Sequence, residues 1–454
     1  MSGANSTIRA GEGAPPLAPR PGRIRQLVSL LGTRPDYRRL ALALIISRIG
    51  TGVSTVALPV AALRLSGGQS IPLGVTLALF YGPQMLFGPL AGPIVDRGNR
   101  VRVMLAADVA RALLIASAML ADQLAHLYAI SFALGIGTAF FLPAFQSVLP
   151  ETVSERELMD ANALLYSSRS VVDIGAPALG AGIIALAGLD AAFALDAATY
   201  VISALFVLGL ARSGVGAAAA SPAPAGSRIR QFAHDLVEGI RYHRRAPVVR
   251  DLLLLLAVTA LSAGGLNLLL VLITSRHFGR PEEAVGLIST CMAVGITLGN
   301  LLIAYIGQRV PRPYLFAAGY WLSGGAALLV LGASSFAVGL ALFLLAGFAN
   351  AAFHAPPDAW VQEVADPAFR GRVFALRNVT MSFGFVVSTL LTGVITAAAG
   401  LQVTWAGLAA LMMAGGVLAL ALPSLRAACR ETSAAATPGT PGTPGTADPA
   451  QSAD

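Results

Sequence analysis

The sequence predicts an all-α integral membrane protein, with twelve transmembrane helices in two pseudo-symmetric six-helix halves. Three observations lead there. Hydrophobic residues make up 56% of the 454-residue chain and charged residues only 12%, too little charge to solvate a soluble surface of that size. The apolar residues gather in windows of about 20 residues, the length an α-helix needs to cross hydrocarbon. The arginines fall between those windows, with a bias that alternates from gap to gap.

Taken in order, residues 1–39 hold seven arginines and no apolar core followed by a cleavage site, which reads as a cytoplasmic arm. Its end, RQLVSLLGTRPDYRR, predicts a short helix at the membrane surface. The first half, 40–211, carries windows near 41–63, 72–95, 103–121, 127–149, 163–187 and 191–211. Residues 212–250 are a cytoplasmic linker. Its GVGAAAASPAPAG stretch is flexible by composition. The following SRIRQFAHDLVEGIRYHRR sets Ile229, Phe232, Leu236, Val237 and Ile240 at helical spacing. That pattern fits an amphipathic surface helix or, equally, a plain helical connector. The second half, 251–423, carries windows near 251–274, 285–307, 314–333, 337–360, 377–399 and 402–423. The stretch 424–454, with its TPGTPGT repeat, reads as a disordered cytoplasmic tail.

Orientation follows from the arginines, which supply all 31 basic residues. With both termini cytoplasmic, 24 of them lie in inner loops or termini. Arg64, Arg276 and Arg280 lie outside, and Arg48, Arg111, Arg169 and Arg377 in helices. Inversion would reverse the usual positive-inside bias. The net charge of +8 is therefore a topology signal rather than a nucleic-acid surface. The expected location is a cell membrane, plasma or inner. Cys291 and Cys429 are isolated, and no metal spacing, phosphate loop or nucleophile constellation is present, so no metal, cofactor or enzymatic activity is expected.

The halves repeat. LAGPIVDRGNR (90–100) aligns with LIAYIGQRVPR (302–312) at an offset of 212. Arg97 meets Arg309, Arg100 meets Arg312, and Asp96 meets Gln308. ERELMDA (155–161) falls opposite FRGRVFA (369–375). Two polar junctions in the same order fit a transporter whose halves rock around a central site.

Gly92, Asp96, Arg97 and Arg100 in GPIVDRGNR resemble the signature between the second and third helices of the major facilitator superfamily, although Asn99 and Val101 depart from its most basic form. The similarity covers nearly all of 40–423. GAPALGAG (175–182) looks like that superfamily's antiporter motif, with Ala176 in place of a glycine. Asp108 with Arg111, Ala161–Asn162, Asp196 in LDAATYVIS, and GRVFALR (371–377) resemble the twelve-helix branch of drug, macrolide and enterobactin exporters. The resemblance implies export of a small amphipathic molecule (drug, macrolide, siderophore or other secondary metabolite) by alternating access coupled to protons. It also implies a gating role for Gly92, Asp96, Arg97, Arg100, Arg111, Arg309 and Arg312. A solute importer on the same scaffold and a non-transporting membrane sensor or scaffold are the alternatives. One chain holds both halves and can work as a monomer in the bilayer.

Among single residues, Asp108 and Arg111 share a helical face, as a gating pair or as a structural ion pair, with Arg48 an alternative partner. Asp173 and Asp108 are the leading proton-coupling candidates, although Arg169, one turn before Asp173, can hold that carboxylate ionised. Asp196 and Tyr200 suit a structural hydrogen bond. His354 and Asp358 are further coupling candidates, with Pro356 and Pro357 expected to disrupt the helix between them. Gly175, Pro177, Gly180 and Gly182 suit close helix packing. Phe80, Gln84, Phe141, Asn267, Asn350 and Phe353 are candidate cavity residues.

Overall fold

The computed structural model describes residues 29–95, 98–216, 238, 241, 245–306, 309–364, 366 and 369–427. Eleven helical runs among these residues are long and apolar enough to cross a membrane. In lipid every backbone N–H must be paired within its own segment, so apolar sequence of this length becomes helix. One run, Leu158–Arg212, is broken by Gly188 at φ 85° and ψ 176°, so the eleven runs supply twelve crossing helices. They are α1 Pro35–Leu65, α2 Ser70–Val95, α3 Arg100–Ser117, α4 Leu124–Thr152, α5 158–187, α6 189–212, α7 Pro247–Leu272, α8 Val285–Ile306, α9 Arg312–Val330, α10 Phe336–Val364, α11 Arg370–Ala399 and α12 Leu401–Ala421.

The duplication is visible in the backbone. Gly400, 212 residues after Gly188, joins α11 to α12 at φ 86° and ψ 165°. Both junctions turn the chain on a single glycine, in a region of backbone space that is essentially closed to other residues.

Several elements differ from their sequence windows. The first helix starts at Pro35 and α7 at Pro247, each a few residues early, because proline supplies a ready-made helical φ at a first turn. Residues 29–33 are helical, with Leu30 buried against the first half's core rather than lying free. The tenth helix runs unbroken through Pro356 and Pro357, contrary to the expected disruption. Each proline removes only one backbone donor, and the turns on either side keep their own ladder. Asp96, Arg97 and Gln308 lie outside the described residues, as does nearly all of the amphipathic linker segment. Of that linker, Glu238 reaches Arg372 at the start of α11 (2.6 Å).

An even number of crossings puts both ends of the bundle on one face, here called the near face. On the opposite, far face the halves are tied together. Arg64 after α1 pairs with Glu283 (3.0 Å) and Glu282 (3.6 Å) before α8. Arg276 donates to the Gly68 carbonyl, and Ser70 Oγ to the Gly393 carbonyl (2.8 Å). Deeper in, α2 meets α11 where the rings of Tyr81 and Phe385 lie edge to face at 4.9 Å. The α5–α8 contact is tight at Gly286, where any Cβ would collide with the Pro177 carbonyl and Ala181. Thr290 Oγ1 donates to the Ile174 carbonyl beside it (3.0 Å). Toward the near face, Tyr166 and Val171 on α5 and Leu301 and Tyr305 on α8 are exposed. The halves thus meet from the far face to mid-depth.

Candidate functional site

Two adjoining cavities lie within the bundle, the first of them at the meeting of the halves. The first, about 210 Å³, is lined by Ser54, Thr55, Thr76, Phe80, Tyr81 and Asn267 among others. The second, about 240 Å³, lies among second-half helices and includes Asn267, Asn350, Met292, Phe343, Trp405 and Met412. Asn267 on α7 borders both, so they adjoin. No charged side chain lines either one. Gln84 does not line them; its amide folds back to the Phe80 carbonyl (2.9 Å). Phe141 and Phe353 are buried in the separate halves instead.

Phe141 belongs to a buried polar cluster in the first half. Arg111 on α3 is ion-paired with Asp108, one turn earlier. Its guanidinium lies between two rings, 4.4 Å from the centroids of Phe141 on α4 and Tyr200 on α6. Such a sandwich is favourable because the ring faces are negative and water is excluded. Asp108 also accepts from Ser203 Oγ (2.7 Å). One turn outward along α6, Asp196 accepts from Ser54 on α1 and from its own neighbour Thr199. Gly50 on α1 makes room for it, because a Cβ there would strike the Asp196 carboxyl and Thr199 Oγ1.

The second half builds the same slot without charge. At the 212-residue offset Tyr320 stands for Asp108, Ser323 for Arg111 and Phe353 for Phe141. Tyr320 stacks on Phe353 (4.5 Å, 8°) and donates to the Leu255 carbonyl (2.9 Å). Ser323, far smaller than arginine, lines the second cavity. The halves therefore share a backbone plan but have divided their chemistry: a filled ionic core in one, an uncharged hollow in the other.

The remaining candidates are placed as follows. Asp173 on α5 takes two hydrogen bonds from Arg48 on α1, at 3.0 and 3.2 Å. The pair is accessible, at 35% for Arg48 and 46% for Asp173. Gly180 packs on the Val53 backbone, whereas Gly175 and Gly182 have open space around them. Close packing of this motif thus depends as much on partner glycines, Gly52 against Ala176 and Gly286 against Pro177. Gly92 lies within α2. Arg100 pairs with Glu151 at the end of α4, and Glu151 also accepts from the Gly216 backbone after α6 (2.8 Å). Glu151 was not signalled by the sequence, because only the fold brings it to Arg100. Arg309 and Arg312 sit over the rings of Tyr305 (4.9 Å) and Trp360 (5.4 Å). The side chains of His354 and Asp358 lie outside the described residues. No group of three or more metal-ligating side chains occurs among the described residues.

At the near face, outside the membrane spans, Glu157 precedes α5. Its carboxyl is pulled down to about 2, first by the Ser154 hydroxyl, then by the Ser154 backbone N–H and by Arg34.

Two duplicated six-helix halves enclosing adjoining cavities have the architecture of a multi-pass membrane carrier. The chain belongs to the Major Facilitator Superfamily, whose family model matches residues 40–272 and 252–447. It is 26% identical over 336 residues to macrolide efflux protein A of Streptococcus pyogenes, covering 72% of this chain and 80% of that one. It is 26% identical over 404 residues to the multidrug efflux pump Tap of Mycobacterium tuberculosis, covering 85% and 93%. Among solved structures, a bacterial homologue of the iron transporter ferroportin in an inward-facing state superposes with a TM-score of 0.71 at 16% identity, over 85% of this chain and 98% of that one. A POT family transporter in complex with 5-aminolevulinic acid superposes at 0.70 and 14% identity, over 86% and 96%. The last two likenesses are of fold. The protein is a secondary transporter of small molecules, consistent with residence in a plasma or inner membrane.

Proposed function

We propose that this transporter exports small amphipathic molecules, driven by proton entry, as a member of the drug and macrolide exporter branch. The observation that carries the reading is the pair of adjoining cavities, lined by aromatic, aliphatic, amide and hydroxyl groups and by no charge. Such walls hold apolar bodies by contact area and orient them with a few polar groups, without demanding one pose. The efflux named for the macrolide and Tap relatives supports the outward direction. Arginine placement supports a cytoplasmic near face, with both termini inside. On this reading the present arrangement, tied at the far face, receives substrate from the cytoplasm or inner leaflet. Release requires parting the Arg64 and Arg276 contacts while the near-face ends of α2, α5, α8 and α11 close. The Arg48–Asp173 pair then serves as a charged contact between α1 and α5 within the first half, and the Arg100–Glu151 pair as a near-face staple.

Flux in inverted, energised vesicles tests the proposal, with erythromycin, a catecholate siderophore and the neutral dye Nile red as probes. Accumulation of at least one probe driven by an imposed pH gradient is the expected result. Transport that ignores the gradient would overturn proton coupling. Uptake into whole cells that falls on deletion would identify an importer. Binding without flux would favour a sensor.

A further inference from the structure

We propose that Asp196 is the site that takes up and releases the coupling proton; this rests on the proton-coupled reading above. Four observations converge on it. First, Asp196 is 1% exposed and sits within α6, where an ionised carboxylate is costly unless paired. Its hydrogen-bond partners among the described residues are hydroxyls, from Ser54 and Thr199, and no described arginine pairs with it directly.

Second, the cluster does not balance without a proton. Among the described residues, the charged and titratable groups near Asp196 are Arg111 from α3, itself paired with Asp108, and Tyr200 from its own helix. The α1 face beside it supplies Gly50, Thr51 and Ser54, while Arg48, lower on α1, is engaged with Asp173. One arginine therefore stands against two carboxylates in a water-poor core. Arg111 is in contact with Asp108, whose second oxygen takes Ser203. Neutrality needs one proton, and it falls to the carboxyl without an arginine.

Third, the site has a way in. Ser54 touches Asp196 on one side and lines the first cavity on the other. A proton from cavity water reaches the carboxyl oxygen through this contact and leaves by the same route. The change is a protonation alone, with no other bond made or broken. Ionised Asp196 accepts from Ser54; protonated Asp196 can donate to it, which frees the Ser54 hydrogen to point into the cavity. Proton occupancy would thus alter the hydrogen-bonding wall that a substrate meets.

Fourth, the rival acid is unsuited. Asp173 is half-exposed and already engaged by two hydrogen bonds from Arg48, outside the closed core that holds Asp196.

Infrared titration of the purified full-length protein tests the assignment without any substrate. Wild type should show a protonated-carboxyl band that fades as pH rises. Asp196→Asn should lack that band and Asp173→Asn should keep it. Ser54→Ala, which leaves the carboxyl in place, should carry the band to higher pH, because a donor to the charged form is gone. This variant decides the matter if Asp196→Asn fails to fold. A band that survives in folded Asp196→Asn, or that is unmoved in Ser54→Ala, overturns the proposal. In vesicles loaded with a transported probe, Asp196→Asn should lose gradient-driven flux by about tenfold or more while keeping probe exchange at equal pH. Wild type that exchanges the probe but ignores the gradient would overturn the proton-coupled reading and this assignment with it. Wild type and Asp196→Asn driven equally would overturn the assignment alone.

Discussion

At the scale of residues, the first half depends on charges that cannot be left single. Asp108→Asn strips the buried Arg111 of its counter-charge while leaving it between two rings. Removing one partner of a buried pair typically costs about 3–5 kcal/mol. Thermal unfolding in detergent should therefore fall sharply, and the double change Asp108→Leu with Arg111→Met should recover part of the loss. Gly50→Ala makes a second expectation. Its methyl would strike Asp196 and Thr199, forcing α1 and α6 apart at the cluster. Folded protein with greatly reduced gradient-driven transport is the expected outcome, measured in the vesicle assay. Sequence made one of these relations legible and hid the others for a physical reason. Asp108 and Arg111 are three apart on one helix, so local geometry alone puts them together. Arg48–Asp173, Arg100–Glu151 and Ser54–Asp196 join different helices, and no spacing along the chain encodes them. Phe141 and Phe353 read as cavity aromatics because an apolar helix has no polar face to show which side is inward.

At the scale of elements, helix number and limits were largely readable, since length and apolarity are dictated by bilayer thickness. What the windows did not reveal is how α5 and α6 join, because one backbone angle at Gly188 settles it. Gly188→Ala would force a side chain into a region nearly reserved for glycine, at about 1–3 kcal/mol. Gly400→Ala should do the same in the second half, and unfolding midpoints should show comparable losses. The start of α5 carries a pH effect. Glu157 is held at about 2, below the ordinary value of 4.5, so its contribution is present above that ordinary value. It is lost as pH falls through about 2, and Ser154→Ala, which removes the largest single cause but keeps the backbone N–H, should weaken this dependence in a melting series across that range.

At the scale of the whole molecule, the far-face contacts hold one arrangement, but not tightly. The Arg64 side chain is 42% exposed, and surface pairs of this kind are worth about 0–1 kcal/mol. Arg64→Ala should shift the balance between arrangements by no more than about fivefold, since 1.4 kcal/mol is tenfold. Spin labels on the α1–α2 and α7–α8 turns should show a larger separated population in the variant. The duplicated halves were visible in sequence through their arginine junctions, yet their division of labour was not. A serine in place of Arg111 is unremarked in an apolar run, and only packing turns that difference into a hollow. The two single-glycine junctions have a mechanical meaning as well. They give α5–α6 and α11–α12 no slack, so each pair must swing as a stiff lever. Through the first lever, a displacement of α5 against α8 is expected to carry with it α6, where Asp196 sits. Inserting two residues beside Gly188 should therefore lower turnover while leaving probe affinity nearly unchanged, decoupling the stroke from the charge that is expected to drive it.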